Sequence, residues 1–398
     1  MKRHALVRST VRRWTAGMLS AAFVLAAAPA AEAGGAVPHD RRATQAGLER
    51  LVEEVGVPGA GAWASDAHGS WYGSAGVADL DTGRERTEEE HFRAGSVTKM
   101  FVATVLLQLQ DEGRLSLDDA LDAWLPGLPT EGGVDPGAVT LRHLLNHTSG
   151  IRSYTEDEEF ERQRLAGDGF LRNRYRTENP DDLIRTGMTA PPLFEPGAGW
   201  AYSNTNYVLA GAVIERVTGN TYAGEIRRRI ITPLGLRSTS LPGQHLRLPS
   251  PHPVLYSTLR IHDLDAPVHD ATWQNPSWVG AAGELISSGK DVNRFLRALY
   301  GGALLPPEQL AQMLDTVAAD TPLRRAGLGV FAYPLSCGTT VWGHDGNMHG
   351  SPVLAVSDGG GDHSFTLHLN GDRRVGPSAL LGIVETEYCG PQANRRAS

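Results

Sequence analysis

The sequence is short of lysine, of cysteine and of long apolar segments. Its 398 residues contain three lysines, Lys2, Lys99 and Lys290, so arginine carries nearly all of the positive charge. The two cysteines, Cys337 and Cys389, could hold a metal ion only with histidine or carboxylate ligands, and none is suitably spaced. After residue 33, no segment is long and apolar enough to predict a membrane span. The 365 residues that follow residue 33 favour one large globular domain, or two closely joined ones, with an ample core.

The N-terminal segment, residues 1–33, has the pattern of an export signal. Four arginines lie before residue 14, Met18–Ala30 is a short apolar stretch, and Ala31-Glu32-Ala33 fits a small-residue cleavage site. We therefore expect a signal peptide over residues 1–33, of the Sec or twin-arginine type, and a secreted, extracellular protein. A retained membrane anchor is the alternative.

Cleavage of this segment would make the protein more acidic. It would remove five of the 37 basic side chains and one of the 45 acidic ones, which leaves 32 and 44 and a formal charge of −12. Such a charge argues against nucleic acid or an anionic membrane as partner.

Hydrophobic patterns predict strands near both ends of the chain and helices between them. The simplest architecture is an α+β fold of the α/β sandwich type, with an antiparallel sheet built from both chain ends and flanked by helices. The sheet part spans about residues 45–95 and 325–390, and a mostly helical insertion spans about residues 100–300. Residues 391–398 form a C-terminal tail.

One of the three lysines heads a helix that begins near a serine. Ser96 and Lys99 form a Ser-x-x-Lys pattern, and the following apolar residues recur at the spacing of an amphipathic helix. A serine hydroxyl is a poor nucleophile until a nearby base activates it, and partial burial would lower the pKa of a lysine enough to serve. The positive end of the helix would favour a developing oxyanion. The alternative is a helix cap followed by a lysine whose charged end reaches solvent.

Two further motifs follow in the chain. Tyr202-Ser203-Asn204 lies in a loop before an apolar helix, and His344-Asp345-Gly346 lies on a predicted strand. Ser-x-x-Lys, Ser-Asp-Asn and Lys-Thr-Gly form a penicillin-recognising set, and the motifs of this chain stand in the same order.

With these motifs, the chain resembles the serine β-lactamase-like and penicillin-binding family over about residues 45–390. It is most similar to exported D-alanyl-D-alanine carboxypeptidases and class C β-lactamases. The stretches VTLRHLLNHTSGI (139–151) and LSCGTTVWGHDG (335–346) support the resemblance. It implies a β-lactamase-like serine hydrolase domain over residues 34–390. It also implies a bridge from Cys337 to Cys389, the natural pairing in an exported protein.

The resemblance also implies roles for individual residues. Ser96 would be the acylated nucleophile, and Lys99 would take its proton or hold the neighbouring base in its active state. Tyr202 would carry a proton to the leaving group, which requires that a cation, with Lys99 as the expected one, lower the pKa of its phenol. Asn204 would bind the substrate amide and orient Lys99. No metal and no organic cofactor are expected.

The predicted strand supplies the rest of the site. The backbone N–H groups of Ser96 and Asn347 would form an oxyanion hole, while His344 and Gly346 would line the strand that aligns the substrate. Trp278 is either a pocket residue or part of the core. As alternatives, Tyr202 could be a buried aromatic residue capping the following helix, and His344 an ordinary strand histidine.

A pair of histidines raises the question of a metal site. His143 and His147 are four apart on a predicted helix, as metal ligands can be. Helix packing is the favoured interpretation, because the pair lacks the glutamate of a His-Glu-x-x-His motif.

The expected function is that of an exported D-alanyl-D-alanine carboxypeptidase-like peptidase that binds β-lactams. Its partners would be peptidoglycan stem peptides or small D-amino-acid peptides or esters, and we expect a monomer. The alternatives are a class C-like β-lactamase, an esterase or D-amino-acid amidase, and a non-enzymatic sensor acylated by β-lactams.

One position departs from the pattern of the carboxypeptidases. Asp345 occupies the hydroxyl position of their His-Thr-Gly motif, no arginine directly precedes Leu335, and the nearest cations are Arg324 and Arg325. A carboxylate would repel a substrate carboxylate unless it points away or pairs with a cation. We therefore hypothesise a preference for amides or esters that lack a free terminal carboxylate.

Overall fold

A computed structural model describes residues 41–260 and 266–390 of the chain. The predicted signal peptide and the C-terminal tail lie outside the described residues. The strands are β1 (Gly59–Asp66), β2 (Gly69–Gly76), β3 (Phe92–Arg93), β4 (Tyr256–Ser257), β5 (His269–Asp270), β6 (Ile286–Ser287), β7 (Val317–Ala318), β8 (Arg325–Ala326), β9 (Phe331–Pro334), β10 (Thr340–Met348), β11 (Ser351–Ser357) and β12 (Ser364–Leu369).

The helices lie mainly between the strands of the two chain ends. They are α1 (Arg42–Arg50), α2 (Thr98–Asp111), α3 (Leu121–Trp124), α4 (Leu141–Leu145), α5 (Glu158–Phe160), α6 (Gly167–Asn173), α7 (Pro180–Thr189), α8 (Asn204–Thr218), α9 (Tyr222–Ile226), α10 (Thr232–Leu234), α11 (Gly289–Tyr300), α12 (Pro307–Leu314) and α13 (Pro377–Cys389).

Eight strands form one antiparallel sheet in the order β2-β1-β12-β11-β10-β9-β8-β7. Strand β1 pairs with β12, so that Ala60 lies opposite Leu369. The N-terminal hairpin therefore closes on the C-terminal strands, and the predicted α+β fold with a sheet from both chain ends is confirmed. The predicted helical insertion also contains the two-residue strands β4, β5 and β6: β4 pairs with β5, and β6 pairs with β3, which precedes the insertion.

Helices cover both faces of the sheet. On one face, apolar side chains of α1 and α13, including Leu48 and Val384, share a core with the strands. On the other face, residues of α11 and α2 belong to a second core that continues into the helical part. The α11 residues Val292, Phe295 and Leu299 are buried at the spacing of one helix face, which explains why this helix lies along the sheet.

Helix α2 is more deeply buried than an amphipathic pattern predicts. Eleven of its 14 residues are buried, including Lys99. The prediction of a one-sided apolar stripe was wrong because α2 lies between other elements and contacts α8, α9 and α12 as well as the turn Gly280–Ala282. A helix in that position must be compatible with the core on nearly all sides. Its end near Gly113, which has a φ of 67°, agrees with the prediction.

A disulfide bond joins Cys337 and Cys389, as expected. It ties the turn between β9 and β10 to the C-terminal end of α13. Because β10 carries the His344 motif, the bond connects the last helix to the strand that borders the site.

The predicted helix carrying both His143 and His147 was wrong in its extent. Helix α4 ends at Leu145, and His147 has a φ of 65°, in the left-handed region. Among the described residues, no group of three or more histidine, cysteine or carboxylate side chains could hold a metal ion. Likewise, none of the described helices combines the length and the apolar character that a membrane span requires.

Candidate active site

Ser96 lies in a tight turn at the entrance to α2. The 3₁₀ turn Gly95–Val97 follows β3, and Gly95 has a φ of 55°. This turn contacts β10, whose pairing with β9 ends at Gly343. The candidate nucleophile is thus presented beside a strand edge that β9 leaves uncovered, where an extended substrate could align.

Lys99 is fully buried and holds its amine beside Ser96. Its Nζ lies 2.8 Å from Asn204 Oδ1, 2.6 Å from the carbonyl oxygen of Ala282 and 3.0 Å from Ser96 Oγ. Burial lowers the pKa of Lys99 well below its usual value, and the charge of Asp345 only partly opposes this. A neutral amine can donate its two N–H groups to the two carbonyl acceptors, which leaves its lone pair for the Ser96 proton.

Tyr202 completes a polar cluster around the serine. Its hydroxyl donates to Ser96 Oγ at 2.8 Å. The expectation that Lys99 lowers the phenol pKa was wrong: burial raises the pKa of Tyr202 well above its usual value, although the hydrogen bond with Ser96 opposes this. Desolvation disfavours the charged forms of both groups, so burial favours a neutral amine and a neutral phenol in the resting site.

Asn204, the first residue of α8, fixes the amine of Lys99. Its Oδ1 accepts from Lys99, and its Nδ2 donates to Thr155 Oγ1 at 3.2 Å. Its backbone N–H donates to Ser153 Oγ at 3.1 Å. The side-chain amide therefore presents its oxygen to the lysine, which is the orienting contact that the sequence interpretation expected.

Gly346 brings β10 against the nucleophile turn. A Cβ atom at this position would lie 2.0 Å from the carbonyl oxygen of Ala94 and 3.2 Å from the backbone nitrogen of Ser96. A Cβ on Gly95 would lie 2.7 Å from the backbone nitrogen of Asn347. The two N–H groups predicted to form an oxyanion hole, those of Ser96 and Asn347, thus belong to segments that only glycine allows to approach so closely.

Asp345 pairs with a cation. Its Oδ1 lies 2.9 Å from Arg324 Nη1, and the hydroxyl of Tyr333 donates to the same oxygen at 3.0 Å. The charge of Arg324 and the hydrogen bond from Tyr333 lower the pKa of Asp345 below its usual value. Arg324 is therefore paired with Asp345, the carboxylate that stands at the hydroxyl position of the carboxypeptidase motif.

A family model described as Beta-lactamase matches residues 45–380. The chain belongs to the beta-lactamase family. Among its relatives, penicillin-binding protein 4* of Bacillus subtilis is 31% identical over 58% of this chain and 49% of that protein, so the chain spans about half of its length. Esterase EstB of Burkholderia gladioli is 32% identical over 79% of this chain and 82% of that protein.

A solved structure extends the comparison. A D-stereospecific amidohydrolase from Streptomyces sp. is 47% identical, with a TM-score of 0.82, and the match covers 88% of this chain and 99% of that one. The chain is thus a serine hydrolase of the beta-lactamase family, and the proteins that it matches include a penicillin-binding protein, an esterase and an amidohydrolase.

The other two predicted side chains of this beta-lactamase-family site, His344 and Trp278, have different surroundings. His344 is buried beside the cluster, with its ring centroid 6.2 Å from that of Tyr202. Burial lowers the pKa of His344 to about 4, so the ring is neutral at pH 7, and its Nδ1 donates to the backbone carbonyl of Asp345. Trp278 is 5% exposed and packs within the core, 6.1 Å from the ring of His349, which favours the core interpretation.

His147 belongs to the site, although the sequence interpretation assigned it to helix packing. Its ring lies 4.4 Å from the Tyr202 ring, and its Nδ1 accepts from the backbone N–H of Ser203 at 3.2 Å. Its carbonyl accepts from the N–H of Ala201 at 3.1 Å. These contacts hold the segment that carries Tyr202. His147 lies beyond the end of α4, where no periodic pattern in the sequence could reveal this role.

Proposed function

We propose that this protein is an exported serine hydrolase that cleaves D-aminoacyl amides and esters lacking a free terminal carboxylate. The observation that carries the proposal is the cluster of Ser96 Oγ with Lys99 Nζ at 3.0 Å and Tyr202 Oη at 2.8 Å, next to the Asp345–Arg324 ion pair. Among the alternatives raised by the sequence, this is the esterase or D-amino-acid amidase. The similarity to a D-stereospecific amidohydrolase supports the choice.

Acylation follows from the protonation states of the resting site. The neutral Lys99 amine accepts the Ser96 proton as Oγ bonds to the substrate carbonyl carbon, and the oxyanion accepts hydrogen bonds from the backbone of Ser96 and Asn347. When the bond to the leaving group breaks, Tyr202 donates its proton to the leaving nitrogen or oxygen and takes one from the Lys99 ammonium. Because the phenol donates and accepts in the same relay, no free phenolate accumulates in the buried site.

Deacylation uses the same groups in the opposite direction. A water molecule in the place of the departed leaving group gives a proton through Tyr202 to Lys99 and attacks the acyl carbon. The bond to Ser96 Oγ then breaks, and Oγ recovers the proton held by Lys99. The products are the free D-amino acid and the resting enzyme. A β-lactam would acylate Ser96 by the same first step.

Charge beside the cluster favours substrates without a terminal carboxylate. The guanidinium of Arg324 is bound by Asp345 and also lies 3.5 Å from Asp320, so its charge is already compensated. The pair therefore offers an incoming carboxylate no net attraction, whereas an amide or ester meets no charge penalty.

The test compares substrates with the wild type and Ser96→Ala. We expect faster turnover of a D-alanyl-D-alanine amide or a D-aminoacyl ester than of the free D-alanyl-D-alanine acid, and loss of all turnover in Ser96→Ala. Ser70→Ala, on the exposed end of β2, is the matched serine control and should keep full activity. A strong preference for the free acid would instead support the carboxypeptidase, and rapid steady-state hydrolysis of a cephalosporin would support the β-lactamase.

The proposed export has its own test. We propose that residues 1–33 are removed on secretion, on the support of their basic start, apolar stretch and cleavage pattern. The secreted protein should then begin at Gly34 when its N-terminus is sequenced. Recovery of a cell-bound protein that retains Met18–Ala30 would favour the membrane anchor.

A further inference from the structure

A pocket of about 370 Å³ begins at the strand that borders the nucleophile. Gly346 and Asn347 of β10 line it, and these residues adjoin the turn that carries Ser96. From there the pocket runs past Asp345 and Arg324 to the start of α13. The strand that supplies the proposed oxyanion donor is therefore part of the pocket wall.

Aromatic contacts connect this pocket to the side of the site where Tyr202 lies. The Phe331 ring is 6.5 Å from the ring of Tyr202, and the Arg324 guanidinium lies 4.1 Å from the Phe331 centroid. A single aromatic ring thus separates Tyr202 from the cation in the pocket wall. In the proposed reaction Tyr202 protonates the leaving group, which must depart on its side of Ser96. The pocket along Arg324 and Asp345 is thus where the leaving group would extend.

The far part of the pocket is apolar. Five of its lining side chains are aliphatic and belong to the loop before β8, to β11 and to the segment around α13: Leu323, Leu354, Val375, Leu380 and Leu381. Leu323 is unusual among them because it is 44% exposed, although it is a large hydrophobic residue. An exposed leucine at the rim of a pocket gains burial when something apolar enters.

The charges in this pocket oppose an anion. Its described lining residues include three carboxylates, Asp320, Asp345 and Asp372, against one cation, Arg324. The Asp372 carboxylate is already committed, because it accepts hydrogen bonds from the Ser257 hydroxyl and from backbone N–H groups. A leaving group with a carboxylate would therefore meet a net negative wall, while an uncharged apolar chain would meet aliphatic side chains.

We propose that this pocket binds the leaving group of the substrate, and that it selects uncharged amines or alcohols with a sizeable apolar chain. The inference rests on the proposed function, since it assumes acyl transfer from a D-aminoacyl ester or amide to Ser96. It adds the chemical class of the group that departs. In the balanced step, the alcohol or amine leaves with the proton from Tyr202, and its apolar chain remains in the pocket until release.

The experiment uses esters that share one acyl group. The n-propyl and n-hexyl esters of D-phenylalanine give the same acyl-enzyme and release alcohols of similar acidity, so their kcat/KM values differ only through binding and acylation. We expect kcat/KM for the hexyl ester to exceed that for the propyl ester on the order of tenfold, the effect of burying two of the three added methylenes. An ester of 6-hydroxyhexanoate, which adds a terminal carboxylate, should react more slowly than the propyl ester.

Two leucine variants test whether the dependence of kcat/KM on alkyl-chain length arises in this pocket. Leu323→Ser should reduce the hexyl-to-propyl ratio from about ten to about two, because it removes apolar contact at the rim. Leu80→Ser is the matched control, since Leu80 is 55% exposed and lies after β2, outside the pocket lining. It should keep the wild-type ratio. Thermal unfolding of both variants shows whether each is folded, and the wild-type ester series does not depend on them.

The outcomes separate the two proposals. If no ester is hydrolysed in a Ser96-dependent way, the proposed function falls and this inference falls with it. If both esters are hydrolysed at equal kcat/KM, or if the carboxylate-bearing ester is preferred, the proposed function stands and the leaving-group pocket is refuted. If neither Leu323→Ser nor Leu80→Ser changes the hexyl-to-propyl ratio of kcat/KM, the leaving-group pocket is also refuted, because the alkyl chain of the ester would then bind elsewhere.

Discussion

Replacing Asp345 by asparagine should shift the preference toward substrates with a free terminal carboxylate. In the structure, Arg324 Nη1 lies 2.9 Å from Asp345 Oδ1, so the two charges compensate each other. Asparagine keeps the size of the side chain and an oxygen that can accept from the Tyr333 hydroxyl, but it removes the negative charge. The guanidinium would then be free to attract a substrate carboxylate.

The size of the shift follows from Coulomb's law. At a separation of about 6 Å and an effective dielectric constant of about 20, one unit charge contributes about 3 kcal/mol. The side chain of Asp345 is 42% exposed, so solvent screening should reduce the effect to about 1.4 kcal/mol, which is about tenfold in a rate ratio. We therefore expect the ratio of kcat/KM for a free-acid D-alanyl-D-alanine peptide to that for its amide to rise about tenfold in Asp345→Asn.

Two controls make the assay specific. Asp320→Asn removes the same charge from a carboxylate that lies 3.5 Å from Arg324 and is 53% exposed, so its ratio should change less than about twofold. Adding Arg324→Gln to Asp345→Asn should return the ratio to the wild-type value. If Asp345→Asn still hydrolyses the amide but its acid-to-amide ratio does not rise, the electrostatic explanation of specificity is wrong.

Three further predictions concern Lys99, Gly346 and the disulfide bond. Lys99→Met should reduce kcat/KM at least about a thousandfold. Because burial lowers the pKa of Lys99 in the folded protein, the wild-type free energy of unfolding should also rise more steeply with pH, below the usual lysine pKa, than that of the variant. Gly346→Ala would place a Cβ 2.0 Å from the Ala94 carbonyl, so β10 must shift and kcat should fall about a hundredfold in steady-state assays. Replacing Cys337 and Cys389 by serine opens a 52-residue loop and should lower the free energy of unfolding by about 4 kcal/mol in urea titrations.

The sequence predicted those parts of the molecule that depend on local patterns. The helix after Ser96 and the strand through His344 follow from the spacing of apolar residues, and the cysteine pair follows from its number and context. The Arg324–Asp345 pair could not be predicted, because it depends on the pairing register of strands β8, β9 and β10. Arg325 lies opposite Ala332, which also pairs with β10 and so brings the preceding arginine to the motif.

The electrostatics of the site were also beyond the sequence. The pKa of Tyr202 depends on how completely the surrounding elements exclude water, and no sequence motif encodes the burial of a side chain. The sequence interpretation gave weight to the nearby Lys99 charge, but burial lowers the pKa of that lysine and raises the pKa of Tyr202. The motifs and the family resemblance predicted that Ser96, Lys99 and Tyr202 meet, whereas their pKa values depend on burial in the folded protein.

The pairing of β1 with β12 has a consequence for biosynthesis. Nearly all of the described chain lies between these two strands, yet Ala60 is placed opposite Leu369. The central part of the sheet therefore cannot close until the ribosome has made the chain as far as β12, and such long-range pairing forms slowly. The proposed oxyanion donor at Asn347 follows Ser96 by 251 residues, so the nascent chain should lack a complete site until β10 has been made. Fragments that stop before β10 should be catalytically silent, and activity should appear only after the chain has been made as far as β12.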